Sequence, residues 1–265
     1  MNAFSDVDGS GRDRELIDYL DQVDHALRAP HGPKQRLRAG LVPTPGGRIL
    51  DLGCGAGHEL VQLESDGMRA YGVDASAAML AASRDRLQSL GHPARLVRAD
   101  AQRLPFAGEY FDGCRIERVL QHVADPAAVL AQAHRVLRPG AVIGILEPDW
   151  ASLTLASRDR ETARAVADQA GRHIPHRDIG RHLRRLLAHS GFDRIHVEVE
   201  LMVYNSVEEL SRIISLDNIT DQARDTGRIE PSRATAFLDE QHTLSAARAF
   251  HATLHRSTLA WAHRP

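Results

Sequence analysis

Gly53, Gly55 and Gly57 alternate with Cys54 and Ala56 directly after the short apolar run Ile49-Leu50-Asp51-Leu52, and His58 follows. Glycines at these positions can take positive φ and leave no Cβ between the backbone and a ligand. A helix beginning near His58 would point free N–H groups at the same place. The dinucleotide fingerprint Gly-x-Gly-x-x-Gly would need a glycine at position 58, which is His58,. Asp51, just before the turn, would repel a pyrophosphate and attract a cationic amine. An amino-acid moiety therefore fits the turn better than phosphates do, and a tight turn needed only for packing is the alternative.

Two further acids fall at comparable places. Asp74 closes the segment Arg69 to Asp74, 17 residues beyond Gly57, near the distance at which an acidic residue meets ribose hydroxyls,. Asp100 closes the segment Ala94 to Ala99 in the same way. In an open parallel sheet the ligand crevice lies outside the carboxyl ends of the strands, so Asp51, Asp74 and Asp100 are expected along one rim. Met79 could lay its thioether on an adenine face or simply fill the core. His122 follows the fourth strand at a rim position, and its ordinary pKa of about 6.5 suits it to accept a proton, which makes it the candidate general base,. Glu147 and Asp149 stand in reserve. Asp149 and Trp150 leave the fifth strand where an acceptor would lie, with packing under the next helix as the other reading of Trp150. The fifteen histidines form no His-Glu-x-x-His or other strong ligand spacing, so no metal is expected,. Cys54 and Cys114 suit neither a disulfide framework nor zinc, and read as small buried side chains,.

The elements that would position these groups alternate in type. Apolar runs of strand length over 48–52, 69–74, 94–99, 111–116 and 141–146 are separated by helical segments. Ser76 and Asp125-Pro126 start two of these helices, and Pro139-Gly140 ends the second,. This alternation indicates an α/β fold with a doubly wound, Rossmann-like sheet. Residues 1–11 read as disordered. Residues 13–27 read as an amphipathic helix carrying Leu16, Tyr19, Leu20, Val23 and Leu27, able to cover the open edge of a cofactor site or simply to pack on the core,. Tyr19 is the candidate substrate contact there. Residues 194–204 alternate as a strand with Ile195, Val197, Val199, Leu201 and Val203 on one face,. Two or three helices follow over 207–241, and a final strand falls near 250–261.

Composition narrows the class. With 265 residues, 43% hydrophobic and 26% charged, the chain is ordinary globular protein,. A net charge of -2 offers no footprint for nucleic acid,. No stretch approaches the roughly 20 apolar residues of a membrane span, and the start lacks a secretory signal, so a cytoplasmic location is expected. Lys34 is the one lysine among 33 basic residues, an imbalance that reads as coding bias.

Together these residues resemble the class I S-adenosylmethionine-dependent methyltransferases over roughly residues 35 to 203. The resemblance rests on Asp51-Leu52-Gly53-Cys54-Gly55-Ala56-Gly57, Gly72-Val73-Asp74-Ala75-Ser76 with Met79-Leu80, Asp100-Ala101 with Leu104-Pro105-Phe106, Phe111-Asp112, and Val136-Leu137-Arg138-Pro139-Gly140. Leu120-Gln121-His122-Val123 and the segment Asp178 to Phe192 are similar to the small-molecule branch that includes ubiquinone- and menaquinone-type and natural-product enzymes. The resemblance implies a seven-stranded sheet. It divides the chain into an N-terminal helical cap (1–45), a cofactor-binding core (46–204), a helical lid insertion (205–247) and a last core strand (248–265). It places S-adenosyl-L-methionine, or the product S-adenosyl-L-homocysteine, with its methionine end at Gly53, Gly55 and Gly57 and its ammonium near Asp51. Ribose falls on Asp74, beside Ala75. The adenine amino group falls on Asp100, with the N–H of Ala101 on the neighbouring ring nitrogen, and the backbone around Glu117 closes over the methionyl amine. The expected reaction is methyl transfer to an O, N or C nucleophile of a small molecule in secondary or cofactor metabolism, by a monomer or homodimer. The other reading keeps the cofactor as a structural part of a cyclase or binding module.

Overall fold

The computed structural model describes residues 7–27, 31–41 and 44–265, without the side chains of Ser10, Tyr19, Gln22, Val23 and residues 25–27. Tyr19 therefore lies outside the described side chains. The described residues divide into two compact units. One comprises Met1–Glu147, Ile179–Glu198 and Thr258–Pro265, and the other Pro148–Asp178 and Val199–Ser257.

Seven strands form a sheet in the order β3-β2-β1-β4-β5-β7-β6. They are β1 (Arg48–Leu52), β2 (Arg69–Asp74), β3 (Leu96–Arg98), β4 (Phe111–Glu117), β5 (Leu137–Leu155), β6 (Asp193–Tyr204) and β7 (Ala252–His263). Pairs β1–β2, β1–β4, β2–β3 and β4–β5 are parallel. Gly140 and Ala141 exchange backbone bonds with Arg264 while Ala156 bonds to His251, so β7 runs antiparallel to β5. The sheet is thus mixed, and the reversal of strand order beside β1 sets the crevice at the carboxyl ends of β1 and β4.

Helices of the first unit cover the parallel strands: α4 (His58–Ser65), α5 (Ala77–Ser89), α6 (Pro126–Val136) and α8 (Leu183–His189). Leu50, Leu52, Phe111, Ile116, Val129, Leu130 and Ile143, all fully buried, hold one face. Ile49, Leu60, Leu63, Leu87 and Trp261 hold the other, with Leu37 of α3 (Pro33–Gly40). The N-terminal helices α1 (Val7–Ser10) and α2 (Asp13–Leu27) contribute Val7 and Leu16 to a smaller cluster with Ala56 and Met79.

The second unit packs α7 (Arg160–Ala167), α9 (Val207–Ser211), α10 (Leu216–Asp225) and α11 (Pro231–Ala246) around Leu153, Val166, Leu210, Ile219, Phe237 and Leu254. The segment expected as an insertion is therefore three helices sharing a core with residues 153–170.

Four expectations need correction. Residues 7–10 are helical rather than disordered, because Val7 is buried and Asp8 grips the start of α5. The third strand is shorter than expected, Leu96–Arg98, since its register with β2 begins at Leu96 opposite Gly72. The fifth strand runs on to Leu155, so Asp149 and Trp150 lie within it and not beyond its end. The apolar face of β6 is not wholly core: Val199, Leu201 and Val203 are 54%, 52% and 44% exposed, as the sheet's edge permits.

Candidate functional site

All three turn glycines take positive φ, at 76°, 49° and 80° for Gly53, Gly55 and Gly57. Their reasons differ. A Cβ on Gly53 would stand 2.2 Å from Val119 Cγ2, and one on Gly57 would stand 2.2 Å from Ser83 Oγ, so the protein's own packing demands both glycines. At Gly55 the nearest atom to such a Cβ would be Leu20 Cδ1 at 3.4 Å, so this glycine alone borders open room. The turn is fastened to the end of β2. Gly53 and Cys54 donate to Val73 O, and Gly55 N–H donates to Asp74 Oδ2 at 2.8 Å. Asp74 Oδ1 accepts from Ser76 N–H at 2.9 Å. Burial pushes the Asp74 carboxyl above its ordinary range, and the N–H groups of Ser76, Gly55 and Ala75 partly restrain the rise,.

Ser76 caps α5 by accepting from Met79 N–H, while Met79 itself is 2% exposed beside Ala56. Ala75 is exposed. Ala99 N–H donates to Asp74 O, which ties the end of β3 to that of β2, and exposed Asp100 follows with its Oδ1 accepting from Gln102 N–H.

Asp51 is buried, and the sequence did not reveal what it meets. Arg115, on the adjacent strand, donates to Asp51 Oδ1 at 2.8 Å and to Glu117 Oε2. Lys34 lies 3.1 Å from Glu117 Oε1 and 2.8 Å from Asp24 Oδ1, and Glu59 joins through Arg38. Burial, only partly offset by Arg115, pushes the Asp51 carboxyl up to about 6. Glu117 is buried too, yet Lys34, Arg115 and Arg118 hold its carboxyl well below the usual range. The opposite directions follow from sharing: Arg115 serves several acids, whereas three cations surround Glu117. A charged residue inside the strand run Phe111 to Ile116 was the available signal for Arg115.

The segment after β4 is shaped for close approach. Arg118 takes φ 53°, strained for a residue with a side chain,. Val119 and Leu120 then both donate to Glu147 Oε1, at 2.8 and 2.7 Å. Glu147 at the end of the β5 core thereby pins Val119 against Gly53. Burial pushes its carboxyl up to about 8 despite those two N–H groups. Half-buried His122 donates its backbone N–H to Val119 O.

Asp149 and Trp150 belong to the other unit. There Trp150 N–H donates to Arg177 O, and a Cβ on Gly171 would stand 2.6 Å from Trp150 Cβ, so the tryptophan packs directly on that glycine. A groove of about 360 Å³ in the first unit, lined by Arg36, Gly40, His196, Glu198 and Trp261, contains none of the expected site residues. Among the described residues no group of His, Cys, Asp and Glu is placed to hold a metal ion. Among the same residues no helix is long and apolar enough to cross a membrane.

An amino-acid-bearing nucleoside fits these residues. Asp51 Oδ2 is buried without a hydrogen-bond partner, Gly55 borders room, and Asp74 keeps acceptor capacity beside them,.

Comparison with known proteins agrees. Residues 50–145 match the methyltransferase domain family. The chain is 36% identical over 228 residues to an uncharacterised protein in a transposon of Streptomyces fradiae, covering 84% of this chain and 65% of that one. It is 37% identical over 114 residues to a demethylmenaquinone methyltransferase of Beutenbergia cavernae, covering 42% of this chain and 46% of the relative. The chain thus spans less than two thirds of either relative. The crystal structure of a protein described as a methyltransferase from Bacillus halodurans superposes with a TM-score of 0.60 at 16% identity, covering 88% of this chain and 99% of the other. By its glycine turn, its strand order and the match over residues 50–145, the chain carries a methyltransferase domain on a fold similar to that of the class I S-adenosylmethionine-dependent methyltransferases.

Proposed function

We propose that the protein transfers a methyl group from S-adenosylmethionine to an O, N or C nucleophile of a small molecule, in secondary or cofactor metabolism. The observation that carries this reading is the glycine turn locked to Asp74 through Gly55 N–H, with orphaned Asp51 Oδ2 on the neighbouring strand. A ribose would be held by Asp74, and an ammonium by Asp51 and the backbone near Glu117. Asp100 and Ala101 would meet the adenine, with Ala75 and Met79 beside the nucleoside. Likeness to a demethylmenaquinone methyltransferase favours a small, ring-bearing acceptor.

Bound S-adenosylmethionine supplies an activated methyl group on a sulfonium whose departing thioether is neutral. The chain's residues align the acceptor with that methyl and exclude water. Asp74, Asp51 and the backbone near Glu117 would hold the cofactor while its methyl passes to the acceptor's lone pair, with sulfur keeping the electrons of the broken carbon–sulfur bond. An acceptor proton, where one must leave, passes to an imidazole nitrogen of His122. Replacing His122 by Ala should then lower kcat about 10²–10⁴-fold with cofactor affinity nearly unchanged. A near-normal kcat, or a loss traced to cofactor binding alone, would remove His122 from this role.

Incubation with methyl-labelled S-adenosylmethionine and a panel of phenols, quinols, amines and enols tests the reading itself. Label in an acceptor supports it. Tight cofactor binding with no transfer to any acceptor would favour a cyclase or binding module that uses the cofactor structurally.

A further inference from the structure

The chain has one lysine, and it is buried among acids. Lys34 of α3 places its Nζ 2.8 Å from Asp24 Oδ1 of α2, 3.1 Å from Glu117 Oε1 of β4 and 3.8 Å from Glu59 Oε1 of α4. One ammonium thus meets carboxylates from three other elements. A tetrahedral ammonium with three rotatable donors serves such a convergence, where the planar fork of a guanidinium would not. In a chain whose other basic residues are all arginine, the exception falls where one ammonium meets three carboxylates.

The contacts continue beyond Lys34. Glu117 Oε2 accepts from Arg115, and Arg115 donates to Asp51, next to the glycine turn. Charges therefore alternate from Asp24 in the N-terminal helix through Lys34, Glu117 and Arg115 to Asp51. Around it the buried acids Asp24, Asp51, Glu59 and Glu117 face Lys34, Arg38, Arg115 and Arg118, with Arg38 also reaching the more exposed Asp66. Taking away Lys34 would leave one uncompensated negative charge among buried groups, where each missing partner is expensive. The same N-terminal helix brings Leu20 to the open side of Gly55. Asp21 of that helix lies 2.7 Å from His58 Nε2 and 2.8 Å from Arg86.

We propose that Lys34 is a positioning residue for the amino-acid end of the cofactor, acting through Glu117 and joining the N-terminal helix to that end of the site. The proposal rests on the cofactor reading above. It gives the lone ammonium between α2 and β4 a role, and it separates the amino-acid end from the nucleoside end, where Asp74 is held by Gly55 and Ser76.

Two ligands that differ only at the amino-acid end test it. S-adenosylhomocysteine carries that end and 5′-methylthioadenosine lacks it. Calorimetry on Lys34→Met should show S-adenosylhomocysteine weakened about tenfold or more, with methylthioadenosine within about twofold of the parent. Equal weakening of both ligands would show a purely structural role and overturn the proposal, as would unchanged affinity for S-adenosylhomocysteine. If the parent protein binds neither ligand, the cofactor reading itself fails and the proposal falls with it. Should Lys34→Met not fold, the parent protein labelled with ¹⁵Nζ-lysine gives a single side-chain resonance. That resonance should move with saturating S-adenosylhomocysteine and stay in place with methylthioadenosine. A resonance that ignores both ligands, or follows both alike, overturns the proposal.

Discussion

The two units treat charge in opposite ways. Around β1 and β4 of the first unit, Asp51, Glu59, Glu117, Lys34 and Arg115 all have side chains no more than 7% exposed. In the second unit the hydrophobic cluster is apolar, Asp149 is buried beside it in sequence, and two sets of ion pairs stand partly exposed. Arg233 with Asp159 is one, and Asp168 with Arg172, Arg177 and Arg228 is another. Burying a charge network costs desolvation that a hydrophobic cluster would avoid, so packing alone gives no reason to build one. Packing accounts for the apolar cluster of the second unit; the charge inside the first is what the proposed amino-acid end of a cofactor would meet there.

Four substitutions would break or sharpen this contrast. The largest effect is expected at Arg115→Met, which leaves Asp51 and Glu117 buried without their shared cation. Urea unfolding should show a loss of about 3–5 kcal/mol. A loss comparable to that of a surface pair would mean the network is solvated and the contrast false.

Asp74→Ala comes next. Loss of charge-assisted ribose bonds, each worth about 1.5–3 kcal/mol, should weaken S-adenosylhomocysteine about tenfold or more. Because Asp74 also accepts from Gly55 and Ser76, circular dichroism must show the variant folded. Unchanged affinity in a folded variant would remove the ribose assignment.

Glu147→Gln should show itself through pH. The folded carboxyl titrates at about 8 because it is buried, well above the ordinary value of about 4.3,. Between those values the native state holds a proton that the unfolded chain has lost, so parental stability falls as pH rises through that window. Glutamine still offers an oxygen to Val119 and Leu120 but has no proton to lose. The variant should gain on the parent steadily from pH 5 to pH 8 in thermal unfolding. Parallel pH profiles would show that the carboxyl is not held in an apolar setting.

The smallest effect belongs to the second unit. Arg233→Ala removes the guanidinium that holds the Asp159 carboxyl far below its usual range through direct hydrogen bonds. Since both partners are open to solvent, the midpoint of thermal unfolding should barely move, and less still in high salt. A shift rivalling that of Arg115→Met would erase the difference between the units.

Much of the first unit was legible because its signals are local. Period, turn glycines and caps mark the strand–turn–helix of residues 48–65, and the acids Asp51, Asp74 and Asp100 announce the strand ends they occupy or follow. The caps at Ser76 and Asp125 stand where their sequences place them. The extent of β5 was not legible, because Pro148 and Asp149 read as a break, whereas the strand is held on both sides of them by β7 through Gly140, Ala141 and Ala156. Alternation in β6 marked an apolar face correctly and misjudged its burial, since period says which residues share a face and nothing about what covers it.

By itself the sequence determined the α/β alternation, the positive-φ glycines and the methyltransferase-domain match over residues 50–145, all of which follow from contacts a few residues apart or from motif order. Tertiary structure alone decided that Gly53 and Gly57 answer to Val119 and Ser83 while Gly55 borders open room. It alone made Arg115 the partner of Asp51, 64 positions away, and turned an isolated lysine into the hinge of a buried charge network. Side-chain partners so distant in sequence leave no periodic trace. They are set by which strands become neighbours in the sheet, and that is a property of the whole core.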